Sequence, residues 1–378
     1  MPVSLETLTA RDFPAAMTLL RRAFTEHGET DFASLLPALY QPTDAHMGRQ
    51  LALRDDGRLV ALLGLFPIDW RVGGAVLKVA GIGGVSVDPE CRGRGLMRRL
   101  MEHARARIAE QGYALSYLGG QRQLYRRFGW EAAGCRVRLG VSVKNLASLE
   151  PRAPTVELSP LEAAEVAELE ALHRTQPIRC ARPTDDFAGF LHGWRHEPLV
   201  ARADGRVTGY LVHHPGERVV YELVASSPDV AVEMVRAYVR HPDRPCTVVL
   251  GSEPSGVLER LGGAAETIGV EHSGNWQVLD WARVAGALLA FRHALDPRPA
   301  GEVVLRSESQ TFRLWVDASG AGASPCSAPP SLILDGPTLT RLLFGPLSPG
   351  QVTTLSAAAT ALSAWCPLPL ALPRQDQV

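Results

Sequence analysis

The sequence predicts a mixed α/β protein, not the regular βαβαβ of a dinucleotide fold. Three observations carry this. An alternating apolar run, Val85-Ser86-Val87, ends at Asp88-Pro89 and passes through Arg92-Gly93-Arg94-Gly95 into a helical pattern. The order of elements over residues 1–145 reads β-α-α-β-β-β-α-β-α-β, with three strands in succession. A stretch of that block, DGRLVALLGLFP at 56–67, is echoed by DGRVTGYLVHHP at 204–215.

Residues 3–8 read as a short strand. From Arg11 to about His27, apolar Phe13, Met17, Leu20 and Phe24 recur at spacings of three and four, which is the period of a helix. A second short helix covers Phe32 to Tyr40. Strands follow over 48–55, 58–70 and 76–87, separated by turn signals at Asp55-Asp56-Gly57 and Gly73-Gly74. The helix from Gly95 to about Glu110 carries the stripe Leu96, Met97, Leu100, Met101, Ala104 and Ile108. Gly112 ends it. Tyr113–Leu118 is the next strand, Gln121–Phe128 a short helix stopped by Gly129, and 131–143 more strand.

The echo at 204–215 has two readings. Both copies are hairpins opened by a D-G turn, or the first domain is duplicated over about 152–280. VVYELVASSPDVAVEM keeps the strand-to-helix layout but lacks an Arg-Gly-Arg-Gly loop. A duplicate has therefore lost the chemistry of the first copy. Beyond it, Ala282–Leu295 is an apolar helix, and strands 302–308 and 311–317 meet near Ser309. SGAGASPCSAPPS at 319–331 reads as a flexible loop. A strand at 331–335 and helices near 337–344 and 350–363 complete an α+β region. The expected domains are 1–148, 149–280 and 281–378.

At 378 residues the chain is too long for one ordinary core, which fits two or three domains. With 46% hydrophobic and 21% charged residues it is globular rather than disordered. A net charge of −1 provides no basic field to recruit nucleic acid or an anionic membrane. In the arginine-rich helix 92–107, the interleaved Glu102 argues the same way. The six cysteines, at 91, 135, 180, 246, 326 and 366, are scattered singly, against a disulfide or zinc framework and in favour of a reducing cytoplasm. MPVSLETLTARDF lacks the pattern of a signal peptide, and no uncharged apolar run reaches the ~18 residues of a membrane span.

The chemistry concentrates at 85–101. A helix start leaves backbone N–H groups unpaired and carries partial positive charge, so an anion, above all a phosphate, is its natural partner. Gly93 and Gly95 remove side chains that would keep a pyrophosphate from the backbone. Arg92, Arg94, Arg98 and Arg99 add cations. A surface turn capped by arginines would read the same way on its own. The strand before it, the amphipathic helix after it and the later YRRFGW together resemble motifs A and B of the GNAT acyl-CoA N-acyltransferase superfamily. There the pattern is Arg/Gln-x-x-Gly-x-Gly/Ala; here it is Arg92-Gly93-Arg94-Gly95-Leu96-Met97, with Met97 departing at the last position. QLYRRFGW after Gly119-Gly120, the relic second domain and the α+β tail are similar to the Eis (enhanced intracellular survival) family. Its members join two GNAT-like folds, each a mixed sheet with splayed central strands, to a sterol-carrier-protein-like domain.

The resemblance implies acetyl-CoA as co-substrate and a homo-oligomer. Val85, Ser86 and Val87 would bind the pantetheine arm and polarise the thioester. Amides from Gly93 through Arg94, Gly95, Leu96 and Met97 to Arg98 would hold the pyrophosphate. Gly119, Gly120 and Gln121 would lie near the thiol. Tyr125 matches the general acid. A phenol's ordinary pKa of ~10 is not far above a thiol's ~8.5. Tyr125 could instead simply pack beside Phe128 and Trp130. An amine of pKa ~10.4 needs ~4–5 kcal/mol to be neutral at pH 7, so a base is required. The family uses its own C-terminal carboxylate, here Val378, although the polar ending Arg-Gln-Asp-Gln-Val departs from the apolar end expected. Glu26, Glu29 and Asp31 are alternatives, or simply a solvated loop.

No metal is expected. His192-x-x-x-His196-Glu197 has a metal-pair spacing without the HExxH order, and reads as a surface or interface helix. Cys91 is near the loop but not a nucleophile, because direct transfer needs none. Trp194, Trp276, Trp281 and Trp315 read as core or interface. The expected activity is acetyl-CoA-dependent N-acetylation of a primary amine: a small amine, aminoglycoside-like, polyamine or peptide lysine. The rivals are a CoA- or apolar-ligand-binding protein without turnover, and a transferase of longer acyl groups.

Overall fold

In the computed structural model, residues 3–24, 31–240, 244–308 and 310–378 are described. Three sheets organise them. The first runs Ser4–Thr7, Gln50–Asp55, Arg58–Val72, Ala75–Val87, Leu115–Leu118, Gly274–Val278, Glu131–Ala133, with Ile178–Cys180 pairing onto Arg58–Val72. Its pairings are antiparallel except between Ala75–Val87 and Leu115–Leu118. The helix Leu96–Glu110 packs Leu96, Leu100, Met101, Ala104 and Ile108 onto Val60, Ala61, Leu63 and Leu65, the face the sequence stripe predicts.

The second sheet runs Thr267–Glu271, Arg136–Val141, Cys246–Gly251, Val219–Ala225, Arg206–His214, Glu197–Ala203, Glu157–Pro160. Arg206–His214, Val219–Ala225, the helix Pro228–Arg240 and Cys246–Gly251 repeat the order of the first sheet's hairpin, helix and parallel strand. Two hairpins alone would not reproduce that.

The two sheets exchange a strand. Arg136–Val141 lies beside Cys246–Gly251 in the second sheet, and Gly274–Val278 lies beside Leu115–Leu118 in the first. The pairing thus crosses the expected boundaries at 148/149 and 280. The strand anticipated over 131–143 breaks at Gly134, whose φ of +78° suits glycine. A Cβ there would stand 1.9 Å from Ser273 Oγ and 2.1 Å from the Leu370 carbonyl oxygen, so the crossover depends on a missing side chain.

Other elements differ locally. The helix expected over Phe32–Tyr40 is only Phe32–Leu35, because Pro37 drives Leu36 out of the helical region, to φ −136° and ψ 66°. The expected loop at 319–331 contains the strand Gly320–Pro325, paired with Gln310–Asp317. Its small residues let the helix Trp281–Leu295 approach, with the built Cβ of Gly286 only 2.8 Å from Ala323 N. The helix expected over 350–363 is broken into Pro349–Val352, Ala357–Ala359 and Leu362–Trp365. Ser309, where two strands were expected to turn, lies outside the described residues.

One apolar core joins Leu20 of the helix Phe13–Ala23 and Phe66, Trp70 and Trp276 of the first sheet to Trp281, Leu288, Phe312, Leu343 and Trp365. The tail continues it with Leu368, Leu370, Leu372 and finally Val378. Val378 is therefore embedded in the largest core among the described residues.

Candidate active site

The strand Ala75–Val87 pairs with Leu115–Leu118 only from Val79↔Leu115 to Ile82↔Leu118. On its other edge it stays paired to Arg58–Val72, out to Ala61↔Val87. The backbone of Val85–Val87 therefore faces a split between two parallel strands. A bulge between Leu62 and Gly64 of the neighbouring strand starts this segment, opposite Gly83 and Ser86. Gly84 sits in it at φ +58°, and a Cβ there would stand 2.5 Å from the Tyr40 hydroxyl.

The turn after the strand is tied down by Asp88. Its carboxylate accepts from the Glu90 amide at 3.1 Å and from Arg58 at 2.8 Å, and pairs with Arg22 at 3.1 Å. Burial would raise its pKa, but these donors outweigh burial and hold it below the usual carboxylate range. Gly93 and Gly95 then take φ values of +79° and +74°. The glycines thus serve a left-handed backbone as well as a close approach, and no atom lies within 4 Å of either built Cβ. Gly95 is the N-cap of Leu96–Glu110 and supplies no side-chain acceptor. The first amides of the helix are left to whatever enters the cleft. The Arg94 side chain turns away to Asp55, at 2.8 Å, and of the four expected cations Arg92 and Arg98 line the cleft while Arg94 and Arg99 do not.

The cleft measures about 1120 Å³. Val85, Ser86, Val87, Arg92, Gly93, Gly95, Leu96, Met97, Arg98, Gly119, Gly120, Gln121, Tyr125 and Val378 all line it. Tyr125 lies on the helix Arg122–Arg126, which buried Glu131 anchors through Arg122 and, at 3.1 Å, Arg126. Burial pushes the Tyr125 phenol up to about 12. Its expected near-balance with a thiol is thereby corrected, because the phenol is a weaker acid than assumed. Asp31 caps Phe32–Leu35, accepting from the Ala33 amide at 3.3 Å and Ser34 Oγ at 2.6 Å, which occupies it locally. Glu26 and Glu29 lie outside the described residues.

Sequence reasoning missed several contributors. Gly81 and Gly83 make room for the C-terminus: their built Cβ atoms would lie 2.9 Å from Val378 Cγ2 and from the terminal carboxyl carbon. The signal was present in Gly81-Ile82-Gly83-Gly84, an unusual concentration of glycine in a central strand. Asn275 of the exchanged strand donates to the Gly120 carbonyl at 3.0 Å and steadies the opposite bank. Trp194, at φ +65°, packs against the core and also lines the cleft, with the Arg374 guanidinium 3.8 Å from its ring centre. His196 does not lie on the helix expected around it: it just precedes the strand Glu197–Ala203, buried and bonded to Gln375. Among the described residues, no group of three or more His, Cys, Asp or Glu could hold a metal ion, and no helix is long and apolar enough to cross a membrane.

Residues 4–133 match the family described as "Acetyltransferase (GNAT) domain". The uncharacterized N-acetyltransferase YhbS of Escherichia coli K12 is 34% identical over 122 residues, 32% of this chain and 70% of that protein. N-acetyltransferase Eis of Mycobacterium tuberculosis is 28% identical over 207 residues, 52% of this chain and 46% of that protein. Among solved structures, a GCN5-related N-acetyltransferase from Kribbella flavida superposes with a TM-score of 0.69 at 22% identity, covering 100% of this chain and 98% of that one. Eis1 from Mycobacterium abscessus superposes with a TM-score of 0.66 at 19% identity, covering 99% and 100%. These two show the fold over the whole length. With the family match, the related sequence and the split-strand cleft in agreement, this chain belongs to the GNAT acetyltransferases and is an acyltransferase.

Proposed function

We propose that the protein transfers an acetyl group from acetyl-CoA directly to a primary amine within this cleft. The observation that carries the reading is that an uncapped helix start, a buried tyrosine and the last residue, Val378, line one cavity. Acetyl-CoA supplies the activated thioester. The chain supplies a seat, a polarising backbone and two proton-handling groups. The amides from Gly93 to Arg98, with Arg92 and Arg98 beside them, suit a diphosphate. The backbone of Val85–Val87, open on the split side, suits the pantetheine arm, and an N–H there stabilises charge growing on the thioester oxygen.

Val378 takes the proton that the amine loses as the N–C bond forms. Tyr125 donates toward the sulfur as the C–S bond breaks. With its pKa near 12, protonating a free thiolate of pKa ~8.5 is uphill by about 5 kcal/mol. Tyr125 therefore acts as a hydrogen-bond donor first and gives up its proton only as charge accumulates on sulfur. Besides Val378, the described lining includes Phe24, Phe32, Leu35, Leu36 and Trp194, with the Arg374 guanidinium over the Trp194 ring. That favours an amine on an apolar body over an aminoglycoside-like, polyamine or peptide-lysine acceptor. The same reading takes 1–148 and 149–280 as two acetyltransferase-like units and 281–378 as a sterol-carrier-like unit, assembled as a cytoplasmic homo-oligomer.

The test is a thiol-release screen of acetyl-, propionyl- and longer acyl-CoA against amines of graded polarity. Tyr125→Phe is expected to lower kcat about 10²-fold or more while the acetyl-CoA KM stays within about twofold. Unchanged turnover removes Tyr125 from the reaction. Failure of every amine to release CoA favours a binding protein instead.

A further inference from the structure

The last residues of the chain are tied to the second sheet as well as packed on the first. Asp376 accepts from Arg182 Nε and Nη2, both at 2.8 Å. The other edge of the same guanidinium donates to Glu222 at 2.9 and 2.6 Å. Tyr210 donates its hydroxyl to Glu222 Oε1 at 2.7 Å. All four side chains are buried. Glu222 and Tyr210 stand on Val219–Ala225 and Arg206–His214, central strands of the second sheet. One residue before Asp376, Gln375 donates to the Phe190 and Leu191 carbonyls at 2.8 and 3.1 Å, and its Oε1 lies 2.7 Å from His196 Nδ1. Two residues beyond Asp376, the chain ends against Gly83.

A chain terminus ordinarily frays. A buried guanidinium shared by two carboxylates is a poor way to gain stability, because desolvation offsets most of the attraction. What it does provide is geometry, since each partner accepts two directed bonds. We infer that Arg182, clamped by Glu222 and gripping Asp376, is a positioning residue that holds the Val378 carboxylate in the first sheet's cleft. The relic second sheet is on this account a working part of the reaction. The inference rests on the reading of Val378 as the base.

Asp376→Asn tests it, because Arg182 keeps Glu222 and no buried cation is left alone. With the best amine of the screen, kcat is expected to fall at least tenfold, with the acetyl-CoA KM within twofold. Carboxypeptidase should release Val378 and Gln377 from the folded variant at least tenfold faster than from the wild-type chain. Unchanged kcat or unchanged resistance overturns the clamp. Should this variant fail to fold, Gln375→Ala is read by the same two assays. A chain extended by Gly-Gly after Val378 separates the two readings, since it displaces the carboxylate without altering Arg182. It is expected to lose kcat at least hundredfold. If it does not, the base assignment fails and the positioning role with it; if it does while Asp376→Asn keeps full kcat, the clamp alone fails.

Discussion

The first two sheets share an order of hairpin, helix and parallel strand and differ where the parallel pair splits. In the first sheet, the parallel pair Ala75–Val87 and Leu115–Leu118 opens past Ile82 into a cleft of about 1120 Å³. In the second, Val219–Ala225 and Cys246–Gly251 pair only at Val219↔Thr247 and Val220↔Val248. Past that point Tyr221–Val224 and Val249–Gly251 border about 170 Å³, and Ala371–Arg374 of the tail line the same space. The following helices differ as well. Leu96–Glu110 begins at Gly95 with no side-chain cap, whereas Ser227 Oγ accepts from the Val230 amide at 3.3 Å at the start of Pro228–Arg240. Asp229 then adds a negative charge in that first turn. One helix start is open to an anion, and the other is satisfied internally and repels one. The same order of elements thus carries an uncapped helix start in one sheet and a serine-capped one in the other.

Changes at the open helix start should have the largest effect. Gly95→Val forces a β-branched residue to φ +74° at a site where nothing crowds the new side chain. Left-handed backbone costs a non-glycine residue about 1–2 kcal/mol, and the side chain also enters the seat. Acetyl-CoA affinity by calorimetry should fall at least about tenfold, while the circular dichroism spectrum is retained. Unaltered affinity would break the contrast.

The second effect is a pH dependence to which His196, beside the tail, contributes together with the other buried histidines whose pKa burial lowers, His46, His173 and His213. Burial lowers the His196 pKa to about 4, even though the Gln375 bond pulls it the other way. The folded pKa lies below the ordinary 6.5 of the unfolded chain, so the unfolded state binds protons that the folded state resists. This contribution is complete above about pH 6.5 and is lost as pH falls toward 4, by about 3 kcal/mol in all. The thermal midpoint should drop over that window, and His196→Gln should flatten the drop. An equally steep drop in the variant would assign it elsewhere. The smallest effect is Ser227→Ala, which should cost about 1 kcal/mol of stability by chemical denaturation and leave acetyl-CoA affinity untouched.

Much of the first half was legible in the sequence because its signals are local. The stripe from Leu96 to Ile108 fixes the buried face of its helix, and Asp88-Pro89 with Gly93 and Gly95 fixes the turn before it. The long-range pairings were not legible. Nothing in the composition of Arg136–Val141 or Gly274–Val278 says which sheet receives it, because an alternating strand pairs equally well with either. The ending Arg-Gln-Asp-Gln-Val is polar where an apolar end was expected, yet Gln375 and Asp376 are buried on His196 and Arg182, about 180 and 194 positions earlier. Tyr125 could be placed from its motif, but its raised pKa comes from burial that only the assembled fold defines.

The central claim is that only one of the two related helix starts seats a CoA diphosphate. Calorimetric titration of the wild-type chain with CoA tests it most directly. One CoA should bind per chain, with Ser227→Ala unchanged and Gly95→Val weakened at least about tenfold. Two sites per chain, or no heat of binding by folded protein, would contradict it.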